Sequence, residues 1–145
     1  LRKACADSVP YGCLGLGRLH ATGAGVARSD SVAAKLFGVA CERREGREND
    51  ACFHLAAASE AGRGVEQNFQ RAARLYRETC EDNHGESCAR LADMYAKGAG
   101  VYRDSSRARE LRGDACKFGY AAACPPPKQP APAAAPSAPQ PPRAS

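Results

Sequence analysis

The sequence predicts an all-α solenoid of helix–turn–helix repeats, stapled by disulfides and followed by a tail with no core of its own. Three observations carry that reading. Eight cysteines fall into four pairs, Cys5/Cys13, Cys41/Cys52, Cys80/Cys88 and Cys116/Cys124, whose first members recur at intervals of 36, 39 and 36 residues. A Gly-x-Gly-Val turn keeps the same period, beginning at Gly23, Gly62 and Gly98. Nine of the ten prolines lie beyond Cys124. Self-similarity at a period between about 20 and 50 residues marks repeats that bury their apolar faces against one another.

The first helix of each repeat runs from near the second cysteine to the first turn glycine, over Ala51 to Ala61 or Glu86 to Lys97. Cys88, Leu91, Met94 and Tyr95 lie on one helical face of it. Leu16, Leu55 and Leu91 each follow their second cysteine by three residues. Two glycines then supply the positive-φ positions that stop the helix. The second helix opens at a polar N-cap, predicted at Asp30, Asn68 and Asp104. It carries Leu36, Leu75 and Leu111 five residues before the next first cysteine, and Ala33, Ala72 and Ala108 eight before. Phe37, Tyr76, Phe53 and Tyr95 fall at core spacings and read as packing.

The first cysteine of a pair ends a second helix, and its partner begins the next first helix across a short connection. In an antiparallel helix pair those positions sit side by side, within the ~4.4–6.8 Å Cα separation a disulfide needs. Zinc is the weaker alternative, because it asks for Cys-x2–4-Cys spacings or nearby histidines that the chain lacks. Four repeated pairs therefore imply disulfides and an oxidising compartment. The odd pair, Cys41/Cys52, contains a three-residue insertion placed in a loop over Glu45 to Asp50.

The organisation predicted is a repeat domain over residues 1–124 and a disordered Pro/Ala-rich tail over 125–145. The tail holds no aliphatic residue larger than Ala, too little to offset the entropy of ordering. Its Pro127–Pro130 and Pro139–Pro142 spacings arise from composition, so it reads as a flexible tether. Net charge is +5, of which Lys128 and Arg143 supply two from the tail. The basic clusters Arg43-Arg44 and Arg107-Arg109-Arg112 are interrupted by acids, which argues against a nucleic-acid partner. No apolar run approaches the ~18 residues of a transmembrane helix. The chain starts at Leu1 inside one repeat and stops inside another, so it is expected to be part of a longer solenoid.

The 36-residue period, the Gly-x-Gly-Val turn and the Cys-x7-Cys pair resemble Sel1-like repeats, a tetratricopeptide-like family. They are similar in particular to the disulfide-bridged cysteine-rich bacterial subgroup. The resemblance covers Ala4 to about Cys124 and departs from the pattern only at the longer Cys41/Cys52 loop. It implies a right-handed α/α superhelix with three complete helix pairs counted from Cys13. It also implies two functions. Most members are adaptors that hold a protein or peptide in the concave groove, while some of the cysteine-rich ones are described as penicillin-binding proteins or weak β-lactamases. A secreted or periplasmic location follows, with the mitochondrial intermembrane space as the alternative.

A β-lactamase should show its chemistry. No serine has a lysine three residues on, Ser31 and Lys35 being four apart, and no Gly-x-Ser-x-Gly elbow is present. His20, His54 and His84 are isolated in sequence, and every cysteine has a partner, leaving no thiolate nucleophile. The expectation is an interaction scaffold acting as a monomer, with no catalytic residue, cofactor or metal. Its groove is predicted from the positions two, five and nine residues after the second cysteine, a stripe that avoids the leucine face. The stripe reads Gly15, Arg18 and Thr22, then His54, Ala57 and Ala61, then Arg90, Asp93 and Lys97. Of these, Arg18, His54, Arg90, Asp93 and Lys97 are the candidate partner-binding residues, with His54 read as a surface histidine. Their basic character suits an extended or acidic peptide.

Overall fold

The computed structural model describes residues 5, 12–43, 49–128, 130 and 139–143. Among the described residues six α-helices have defined bounds: α1 Gly12–Thr22, α2 Asp30–Arg43, α3 Asn49–Ala61, α4 Phe69–Glu81, α5 Gly85–Lys97 and α6 Ser105–Lys117. A short 3-10 turn at Ala121–Ala123 closes the repeats. There is no strand among the described residues, and no described helix is long and apolar enough to cross a membrane. Each helix packs against its neighbours in the chain, as a solenoid requires.

The predicted leucine and alanine positions form the core. Leu36, Leu55, Leu75, Leu91 and Leu111 are buried, as are Ala33, Ala72 and Ala108. Leu16 is only half-buried. Phe37, Phe53 and Tyr76 are core residues. Tyr95 is half-buried, and its hydroxyl accepts a hydrogen bond from Arg77 Nη2 at 3.2 Å.

Two backbone devices repeat in every unit. Each first helix ends on a positive-φ glycine, at Gly23, Gly62 and Gly98. The residue that caps the second helix then donates its N–H back to the first. Ser29 reaches the His20 carbonyl at 2.9 Å, Asn68 the Ser59 carbonyl at 2.8 Å, and Asp104 the Tyr95 carbonyl at 2.9 Å. Two of the predicted caps hold, with Asn68 and Asp104 accepting from the N–H groups of Arg71 and Arg107 at 2.9 and 3.0 Å. The first repeat differs from the prediction. There the cap is Ser29, whose hydroxyl accepts from the Val32 N–H at 3.3 Å, and Asp30 is already helical. The register of Ala33, Ala72 and Ala108 makes Ser29 the equivalent of Asn68 and Asp104, while the Asp30 carboxylate turns to Arg28 at 3.7 Å.

All four cysteine pairs are disulfides, with Cα separations of 5.1, 4.6, 4.7 and 4.7 Å in chain order. The later three each close the turn after a second helix. The insertion expected over Glu45 to Asp50 is shorter at its C-terminal end. Asn49 and Asp50 are the first residues of α3, equivalent to Gly85 and Glu86 of α5, and residues 44–48 lie outside the described residues. Beyond Cys124 the described residues are exposed and without regular structure. The rest of the predicted tail lies outside the described residues.

Candidate binding groove

The candidate groove starts in the first helix of each repeat, α1, α3 and α5. Between the first two repeats it deepens into a cavity of about 200 Å³. Alanines 33, 34, 57 and 58 line it, so small side chains leave the space open. One wall is a ring stack, Phe37 on His54, with centroids 4.9 Å apart and planes inclined by 23°. Phe37 reaches this place because Gly17 has no side chain; a Cβ there would stand 2.7 Å from the ring. Arg18, Arg63, Thr22 and Asp30 contribute the polar lining.

Beside the cavity a line of polar contacts crosses from repeat to repeat. Arg18 Nη2 lies 3.2 Å from Asp50 Oδ2, and Asp50 Oδ1 lies 3.4 Å from His84 Nε2. Phe53 sits between the histidines, with its centroid 5.7 Å from that of His54 and 5.1 Å from that of His84. Burial lowers the pKa of His54 below the ordinary value, and the Arg18 charge adds to that, against the opposing pull of Asp50 and Glu86.

The structure divides the predicted stripe. Arg18, Thr22, His54 and Ala57 converge on one cavity. Arg90, Asp93 and Lys97 lie exposed on α5, where Asp93 is 3.4 Å from Arg112 of the following helix. His54 is half-buried, not the surface histidine expected, because stacking on Phe37 is possible only when α2 and α3 meet. Likewise His54 and His84, isolated in sequence, share a ring neighbour. Asp50 and His84 were missed as site residues. The cysteine register would have found Asp50, which precedes Cys52 as Glu86 precedes Cys88.

One repeat position on the second helices changes its chemistry from repeat to repeat. Phe37, Tyr76 and Arg112 each stand four residues before a first cysteine. Phe37 stacks on His54. Tyr76 is fully buried and donates its hydroxyl to Glu60 Oε2 at 2.7 Å. Arg112 makes the ion pair with Asp93. That position thus passes from an aromatic stack, through a buried phenol–carboxylate pair, to an exposed ion pair.

Asp50, His84 and Ser87 also form a carboxylate–imidazole–hydroxyl chain, the order used by serine nucleophiles. His84 Nδ1 lies 2.6 Å from Ser87 Oγ and accepts from the Ser87 N–H at 3.2 Å. Ser87, however, is 0 % exposed, so its oxygen cannot meet a substrate carbonyl. The chain is a helix cap: His84 occupies the N-cap of α5, and Asp50 holds the ring from the preceding repeat.

Comparison with known proteins agrees with this architecture. Residues 10–44, 49–84 and 85–111 match the Sel1 repeat family. No match was found among curated protein sequences. Among solved structures, a Sel1 repeat protein from Oxalobacter formigenes superposes with a TM-score of 0.72 at 24 % identity, over 79 % of this chain and 46 % of that one. The protein c5321, a protective antigen present in uropathogenic Escherichia coli strains and displaying an SLR fold, gives 0.74 at 28 %, over 84 % and 26 %. The chain therefore spans less than half the length of either. Cysteine-rich protein B of Helicobacter pylori gives 0.61 at 26 %, over 85 % of this chain and 86 % of that one.

Proposed function

Since the chain belongs to the Sel1 repeat family, whose members are generally protein-interaction scaffolds, we propose that it holds an extended segment of a partner protein in the groove lined by α1, α3 and α5. The observation that carries this reading is the stripe on those first helices, which changes from Gly15, Arg18 and Thr22 to His54, Ala57 and Ala61 to Arg90, Asp93 and Lys97. A face kept only for packing would repeat its residues, as the leucine positions do; this one varies from repeat to repeat. Four disulfides and the likeness to a cysteine-rich protein support an extracytoplasmic site of action, secreted or periplasmic. The candidate contacts are Arg18, His54, Arg90 and Lys97, with Asp93 competing for its Arg112 partner.

A photo-cross-linker placed at Arg90 tests the surface against one placed at Arg74, exposed on α4. A partner trapped from Arg90 and not from Arg74 supports the groove; the reverse pattern overturns it. Arg18→Ala and Arg90→Ala should weaken the trapped complex while thermal unfolding stays unchanged, because among the described residues the only ion pair lost is the exposed Arg18–Asp50 contact, worth about 0–1 kcal/mol.

A further inference from the structure

We infer that the cavity between the first and second repeats receives a single apolar side chain from an acidic peptide; this rests on the groove reading above and names what the groove selects. The first observation is size. At about 200 Å³ the cavity falls below the ~300–1,000 Å³ usual for small-molecule sites, which leaves room for one side chain. The second is lining. Methyl groups of Ala33, Ala34, Ala57 and Ala58 and the ring face of Phe37 stacked on His54 offer apolar contact.

The third observation is charge. Arg63 lines the cavity and makes no ion pair among the described residues, while Arg18 has an exposed partner in Asp50. The one carboxylate in the lining, Asp30, already faces Arg28 at 3.7 Å. Two guanidinium groups therefore meet whatever enters, and carboxylates flanking the buried side chain complement them. A basic peptide would face both arginines. The apolar residue supplies affinity by burial, and the flanking acids set its orientation.

Fluorescein-labelled nonapeptides Ala-Ser-Asp-Glu-Xaa-Glu-Asp-Ser-Ala, with Leu, Phe or Ser at the centre, test this by anisotropy against the intact oxidised chain. The Leu and Phe peptides should bind roughly tenfold or more tightly than the Ser peptide, the gain expected from burying one such side chain. Ala57→Leu, which fills the cavity, should bring the ratio close to one while far-ultraviolet circular dichroism keeps its helical form. Thr22→Leu, at an exposed lining position, gives an independent block should the first variant fold poorly. Arg63→Ala should weaken all three peptides by a common factor that shrinks as salt rises. A ratio near one in the unaltered chain, or one that survives both blocking variants, overturns the pocket. If Arg90→Ala still weakens every peptide in that case, the groove stands without the pocket. Absence of binding by all three peptides also overturns the pocket, and the Arg90-against-Arg74 cross-linking contrast then judges the groove alone.

Discussion

Gly64 lies against the peptide carbonyl of Asp30, one repeat earlier, and Gly100 makes the same approach to the carbonyl of Phe69. Asp30 and Phe69 are equivalent positions, each the first residue of a second helix. The second turn glycine is thus a seat between repeats as well as a helix terminator. It has φ near +70° in both places, and a Cβ at either would overlap the backbone of the repeat before. Gly25 holds the matching place in the first repeat with φ +76°, yet nothing lies within 4 Å of where its Cβ would be.

That contrast separates two costs. Gly25→Ala should incur only the left-handed backbone penalty, about 1–2 kcal/mol. Gly64→Ala should incur the same penalty plus the clash with Asp30, and lower the thermal midpoint by clearly more. Circular-dichroism melts of the two variants side by side decide it; equal shifts would show that the repeat seat has no energetic weight.

The disulfides should dominate stability. Each closes a short loop, with separations of 8, 11, 8 and 8 residues, and contributes about 2–3 kcal/mol by restricting the unfolded chain. Together this is comparable to the whole stability of a small domain, in a core made largely of alanine. Complete reduction at neutral pH should largely unfold the repeats. Full helicity retained after thiol quantification confirms eight reduced cysteines would falsify the estimate.

Stability should also fall in mild acid. His54 has a folded-state pKa lowered from 6.5, chiefly by burial, so the unfolded chain takes up the proton first. The loss therefore begins as pH drops through 6.5 and is complete once it passes the lower folded value. His54→Phe keeps a ring on Phe37 and removes the proton site. Urea midpoints followed from about pH 7.5 to pH 5 should fall less in the variant than in the parent; parallel curves would exclude His54 as a cause.

Tyr76 should resist base. Its pKa is pushed up from 10, first by burial and then by the hydrogen bond to Glu60. The unfolded chain loses this proton first, so the native state is destabilised as pH rises above 10. A spectrophotometric tyrosinate titration should show a late step coinciding with unfolding. Tyr76→Phe should remove that step; its persistence would assign it elsewhere.

Much of the architecture was legible before folding, and particular residues show why. Cys80 and Cys88 could be paired from sequence because both sit at the ends of adjacent helices, a local relationship that a period makes visible. The turn glycines were legible for the same reason, since only glycine adopts their conformation readily. The cap in the first repeat is Ser29 and not its more acidic neighbour Asp30, in keeping with the Ala33 register. Asp50 reads as loop from the sequence because the insertion before it obscures the start of α3.

The sequence by itself determined the repeat, the helices named above, the four disulfides and the leucine and alanine positions of the core, because each depends on spacing within about one period. Only the tertiary structure decided what the other residues meet. Arg18 meets Asp50 across 32 residues, and Asp50 meets His84 across the next boundary. His54 becomes half-buried by reaching Phe37 in the preceding repeat, and Ser87 is closed off despite standing in a carboxylate–imidazole–hydroxyl chain. The physical reason is the offset with which one repeat stacks on the next. Periodicity says which positions come near each other, whereas distance, burial and partner choice depend on how closely glycines such as Gly17 and Gly64 let the neighbouring elements approach.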